Sequence, residues 1–187
     1  MRVLGINGSL RRDSHNARLL RAAGRLVEAQ TAAEFRIYDG LKAIPPYDED
    51  DDVDGGPAAA AELRRAIAEA DAVVFATPEY NSSIPGQLKN AIDWASRPIS
   101  TNPLRNTPVA VIGASTGMFG AVWAQAELRK VLAATGARVV EGEVAVGHAH
   151  ERFDDQGRLT DPSLQQALAD TLSLLVDELQ PARAAAA

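Results

Sequence analysis

Two stretches of this chain leave few folding options. Ala72-Val73-Val74-Phe75-Ala76 and Val109-Ala110-Val111-Ile112 are uninterrupted apolar runs of strand length. A strand with one wet face alternates apolar and polar residues, whereas a strand this apolar is buried on both faces. That favours a parallel sheet sandwiched between helices. Further candidate strands are Arg2–Ile6, Glu34–Tyr38 and Arg138–Val146, with the two apolar runs extending over Ala72–Thr77 and Pro108–Gly113. The stretches between carry helical periodicity. Leu19, Leu20, Ala23, Leu26 and Val27 share one face of a helix over about Asn16 to Gln30. Leu63, Ile67 and Ala70 mark a second helix, Leu88, Ile92 and Ala95 a third, and Phe119, Val122, Trp123 and Ala126 a fourth. Leu164, Leu168, Leu172, Leu175 and Leu179 stripe a last helix, with Asp161 or Thr160 as its N-cap. Five strands alternating with helices predict a doubly wound α/β fold with strand order 2-1-3-4-5. Its ligand site then lies at the carboxyl ends of the strands, near the switch point between the first and third.

A length of 187 residues predicts one domain over 1–180, followed by a short alanine-rich tail, 181–187, that frays. There are no cysteines, which excludes disulfides, thiolate metal sites and thiol redox chemistry. Any electron transfer here must be carried by a bound group. A net charge of −6 argues against a nucleic-acid or anionic-membrane footprint, though not against a small anion pocket. No apolar run is long enough to span a membrane, and the start reads as a strand entering a glycine turn, so the expected compartment is the cytoplasm.

Three loops fall at the predicted ligand edge. The first, Gly8 to Asn16, offers the hydroxyls of Ser9 and Ser14, the amide of Asn16, a helix N-terminus, and Arg11 or Arg12. Such donors suit a terminal phosphate, while Ser14 also suits a plain N-cap. Neither GxxxxGK[ST] nor GxGxxG is present, so a mononucleotide fits better than a triphosphate or a dinucleotide. The second loop, Thr77 to Gly86, presents the aromatic Tyr80 and the two-way amide of Asn81 between prolines. It suits a flat heterocycle with a polar edge, or is an ordinary turn. The third, Gly113-Ala114-Ser115-Thr116-Gly117, has small residues whose backbone N–H groups can face a ligand. It also matches GxSxG, the nucleophile elbow of serine hydrolases, but no acid and histidine are evidently placed to complete a triad.

Other features read as structural. Ile44 to Pro57, with its run Asp48 to Asp52, lacks the ligand spacing of a calcium loop and reads as a solvated, self-repelling segment. His148 and His150 sit near Glu151 and Asp154, and read as surface-loop residues rather than metal ligands. Trp94 and Trp123 read as core or subunit-interface residues.

Taken together, Gly8-Ser9-Leu10-Arg11-x-x-Ser14-x-Asn16, Pro78-Glu79-Tyr80-Asn81, Pro85-Gly86-x-Leu88-Lys89-Asn90-Ala91-Ile92-Asp93-Trp94 and Ser115-x-Gly117-x-x-Gly120 resemble the NAD(P)H-dependent FMN reductase family. Its members include soluble quinone, chromate and azo-compound reductases with a flavodoxin-like fold, and the resemblance spans about residues 2–178. It implies that Ser9, Arg11, Ser14 and Asn16 hold the FMN phosphate, and that Pro78, Glu79, Tyr80 and Asn81 surround the ribityl chain and isoalloxazine. Ser115, Thr116 and Gly117 would face the pyrimidine end through their backbone N–H groups, with Gly120 in support. It further implies hydride transfer from NADPH or NADH to the flavin N5 and on to a quinone, free flavin, chromate or azo acceptor, with no catalytic side chain and no metal. A homodimer or homotetramer is expected. A flavodoxin-like electron carrier served by a partner protein, and a hydrolase using Ser115, are the alternatives. Ala121 departs from the family pattern, standing where many members have a second glycine, and Trp123 stands where some have a polar residue.

Overall fold

The two apolar runs form the centre of a parallel sheet. β3 (Ala72–Thr77) and β4 (Pro108–Ala114) are buried at every position, and pair from Val73 opposite Val109 to Thr77 opposite Gly113. β1 (Arg2–Asn7) lies on the other side of β3, and β2 (Glu34–Tyr38) lies beyond β1. The order is the expected 2-1-3-4-5. The computed structural model describes residues 1–179. The domain boundary at 180 and the fraying tail 181–187 lie outside the described residues.

Successive side chains of the central strands serve opposite layers. Leu4, Ile6, Val73, Phe75, Val109 and Val111 join one core cluster. It is completed by α2 (Ala58–Ala68), α3 (Gly86–Ala95) and α4 (Val122–Ala134). Val3, Ala72, Val74, Ala76, Ala110, Ile112 and Ala114 join the other, with α1 (His15–Gln30) and α5 (Pro162–Asp177). The second face is richer in alanine, which lets α1 approach the sheet closely. Both expected N-caps form. Ser14 accepts from the Ala17 N–H at the head of α1, and Asp161 accepts from Ser163 and Leu164 at the head of α5.

The fifth strand differs from expectation. Arg138–Val146 is not one strand but two short ones, β5 (Arg138–Val139) and β6 (Ala145–Val146), each parallel to β4. The Arg129 side chain explains the break. Its guanidinium donates to the carbonyls of Gly142 and Val111 and to the Gln125 side chain, filling the gap where the ladder opens. Burial lowers the Arg129 pKa, and the nearby Glu143 opposes that shift.

The acidic run is solvent-exposed over Asp48 to Asp51, as expected, but its last residue is strapped to the body: Arg64 meets Asp52 at 2.8 Å in a largely buried ion pair and donates to the carbonyls of Gly55 and Trp94. Tyr47 packs edge-on to Trp94, whose Nε1 donates to the Pro45 carbonyl. Trp94 is fully buried, whereas Trp123 is 48% exposed and belongs to no core.

Candidate functional site

The loops that follow β1, β3 and β4 enclose a cleft of ≈ 270 Å³. Asn7 shapes the first loop as an Asx turn: its side-chain amide donates to the Ser9 carbonyl at 2.9 Å and accepts from the Ser9 N–H at 3.1 Å. Ser9, Arg11 and Ser14 line the cleft as expected. The Ser9 hydroxyl accepts from the Arg11 N–H, and the Ser14 hydroxyl accepts from the Ala17 N–H, so each hydroxyl proton remains free to donate. The Arg11 guanidinium rests on the Asp13 carbonyl at 2.8 Å.

Asn16 reaches the cleft but not with the amide expected of it. That amide is buried and paired both ways with the Ala114 backbone, donating to its carbonyl and accepting from its N–H, both at 2.9 Å. Its backbone N–H lies in the first turn of α1 and is one of the orphan donors of any helix start. The side chain instead bolts the first loop to the third.

The second loop closes on itself. Tyr80 and Ser83 exchange backbone hydrogen bonds at 3.1 Å across Asn81 and Ser82, both with positive φ (53° and 58°), a type I′ turn. Pro78, Glu79 and Tyr80 line the cleft, while Asn81 sits exposed at the tip of the turn, outside the lining. The Glu79 carboxylate turns away and accepts from the Ala124 N–H at 3.0 Å, capping α4. Ser83 adds a bond to Glu127 at 2.6 Å, so two side chains clip this loop to α4.

In the third loop, Ser115 and Thr116 line the cleft, whereas Gly117, which is exposed, and Gly120, which is buried, lie outside its lining. Two of the three expected donors are already engaged: the Ser115 N–H meets the Val146 carbonyl at 3.0 Å, and the Gly117 N–H meets the Ser115 hydroxyl at 3.1 Å. Thr116 keeps its N–H. Gly120 has φ +59°, and a Cβ there would overlap the Ala145 backbone, so only glycine fits. The next residue, Ala121, is also left-handed, at φ 65°. That is the conformation a second glycine would relieve, at a strain of about 1–2 kcal/mol. His148, His150 and Glu151 are exposed, as expected of a surface loop, and His148 and Ala149 also donate to the carbonyls of Gly117 and Ser115, so the segment backs the third loop. No histidine is bonded to the Ser115 hydroxyl among the described residues, and its GxSxG match lacks a triad. Nor do the described residues hold a group of three metal-ligating side chains.

Sequence reasoning missed His15. It lines the cleft and stacks on Phe153, with ring centroids 6.5 Å apart and planes within 13°. Burial lowers its pKa, and the positive charges of Arg11, Arg18 and His150 act in the same direction.

A sheet-edge cleft with an anion-ready first loop and an aromatic second loop agrees with what chains of similar sequence are. Residues 1–151 match the family described as NADPH-dependent FMN reductase. The chain belongs to that family. A similar relative is an NAD(P)H-dependent FMN reductase of Pseudomonas aeruginosa, 43% identical over 94% of this chain and 93% of its own. A 2-hydroxy-1,4-benzoquinone reductase of a Burkholderia species is 37% identical over 90% of each. Among solved structures, the flavoenzyme NAD(P)H:(acceptor) oxidoreductase FerB of Paracoccus denitrificans superposes with a TM-score of 0.83 at 34% identity, covering 96% of this chain and 97% of that one. As an FMN reductase family member the chain is a flavin-dependent oxidoreductase that uses FMN and NAD(P)H. No helix among the described residues is long and apolar enough to cross a membrane.

In this FMN reductase fold the Asn16 pair is a bolt independent of any ligand. Asn16→Ala should strip both Ala114 groups of their partner and lower the unfolding free energy of the cofactor-free protein by about 2–4 kcal/mol, read from urea melts. An unchanged midpoint would show that the pair carries no stability.

Proposed function

We propose that this FMN reductase family member passes hydride from NAD(P)H through FMN to a small oxidised acceptor of the quinone or free-flavin class, chromate and azo compounds being further candidates. The observation that carries the reading is the first loop. Ser9, Ser14, Arg11 and the opening turn of α1 converge on one end of the cleft, and Glu79, the acidic side chain among the lining residues, is spent on α4. That donor set fits a phosphomonoester.

On this reading the Ser9 and Ser14 hydroxyls, the Arg11 guanidinium and the Asn16 backbone N–H bind the FMN phosphate. Pro78, Glu79 and Tyr80 wall the ribityl chain and ring, with Asn81 at the outer edge. The Thr116 N–H faces the pyrimidine end and stabilises negative charge developing there. Ser115 and Gly117 shape that turn, and Gly120 seats it on β6. FMN, when bound, supplies the hydride-accepting and hydride-donating chemistry, so the protein need offer no acid or base. These residues would hold FMN and orient its ring.

Tyr80, Met118, Phe119 and Trp123 are all about half exposed or more, and Phe119 meets Trp123 edge-on at 5.0 Å. An apolar patch at the mouth of a site marks an interaction surface. It supports a homodimer or homotetramer that shares this edge.

Arg11→Ala should weaken FMN by about 1.5–3 kcal/mol while leaving riboflavin, which has no phosphate, unaffected; titration by flavin fluorescence reads both. Equal losses for the two flavins would remove Arg11 from the phosphate. Ser115→Ala should keep NAD(P)H:quinone turnover, and an ester-cleaving activity that vanishes with Ser115 would support the hydrolase instead. Turnover of NAD(P)H and quinone by the purified protein also separates the enzyme from an electron carrier, which would show none. Sedimentation should find a dimer or tetramer that Trp123→Asp dissociates; a monomeric native protein would overturn the shared edge.

A further inference from the structure

We infer that His15 is a proton-linked anion-binding residue of the cleft, taking up a proton when a phosphomonoester occupies the first loop. The inference rests on the cofactor reading above and adds to it the residue at the unassigned position between Ser14 and Asn16.

Three observations meet at this side chain. First, His15 opens α1 and lines the cleft beside Ser14 and Asn16, the residues that flank it in the chain. Second, its Nδ1 is buried and has no hydrogen-bond partner in the protein. A buried imidazole nitrogen is rarely left so, and here neighbouring side chains offer it no acceptor. Third, its surroundings are cationic. Arg11 of the same loop, Arg18 of the next turn of α1 and His150 of the segment behind the third loop are near enough to disfavour a further positive charge on it. The carboxylate at hand there, Glu151, is paired with His150 at 3.1 Å, and Phe153 covers a ring face without charge. An imidazolium is therefore disfavoured while the loop holds no anion.

A phosphate dianion reverses that balance. It pairs with Arg11, offsets Arg18 and favours the charged form of His15. Each unit by which it raises the His15 pKa tightens binding about tenfold at pH values below both pKa values, relative to values above both. The sign follows: proton uptake on binding makes affinity rise as pH falls. The second ionisation of the phosphate, near pH 6, opposes this, and it acts alike on native and variant proteins.

The test compares the native protein with His15→Gln and with His15→Phe, which keeps a ring against Phe153. FMN dissociation constants are measured by fluorescence quenching between pH 5.5 and 8.5, with riboflavin as the phosphate-free control. The ring of His15 is followed by NMR with and without FMN. The expected result is a His15 pKa that rises on adding FMN, and a ratio of variant to native FMN dissociation constants that is severalfold larger at pH 5.5 than at pH 8.5. The riboflavin ratio should stay flat. A His15 pKa unchanged by FMN that nonetheless binds, or a pH-independent FMN ratio, overturns the inference and leaves the cofactor reading standing. Failure of the native protein to bind FMN at any pH overturns both.

Discussion

The two-way hydrogen bond between the Asn16 side chain and the Ala114 backbone fixes the relation of the site's parts. It spans 98 residues of sequence and joins the start of α1 to the end of β4, across the point where the sheet changes direction. Without it, each loop would keep its own bonds, the Asx turn at Asn7 and the His148 and Ala149 donors behind the third loop, but would lose this direct tie to the other. With it, both are referred to one rigid joint beneath the cleft. Because the pair is buried, water does not compete with it, and losing one partner would leave the other unsatisfied.

A second economy runs through the same edge. Groups that terminate secondary structure also shape the site. Ser14 caps α1 with its lone pair and keeps its proton for a ligand. Glu79 caps α4, so the acidic side chain among the cleft's lining residues is directed to a helix start. The third loop spends the N–H groups of Ser115 and Gly117 on its own shape and leaves that of Thr116. On the proposed reading, room for an anion in a chain of net charge −6 depends on where the nearby carboxylates are tied as well as on how many there are.

The fold was largely legible in the sequence, because its signals are local. The apolar runs of β3 and β4, the helical stripes and the cap at Asp161 each depend on neighbours in the chain. That Ser9, Arg11 and Ser14 would line the cleft was legible for the same reason, since loop composition after a strand is a local pattern. The misses share an opposite origin. The Asn16 amide, the Arg64 strap on the acidic run and the break in Arg138–Val146 are set by partners far along the chain, and Arg129 carries no mark in the sequence that it will plug a ladder. His15 was overlooked because a histidine between two expected ligands looks like a spacer. Only the burial of its Nδ1 and the cations around it single it out.

The interruption in the last strand position has a consequence beyond local geometry. That position is an outer margin of the sheet, where a continuous nine-residue strand would present a row of unpaired N–H and C=O groups to any passing chain. Two dipeptides separated by a stretch that answers to a guanidinium cannot serve as a template of that kind. Arg129 therefore does more than fill a gap: it blunts the margin against strand-to-strand aggregation, and helps keep encounters between copies to surfaces formed by side chains.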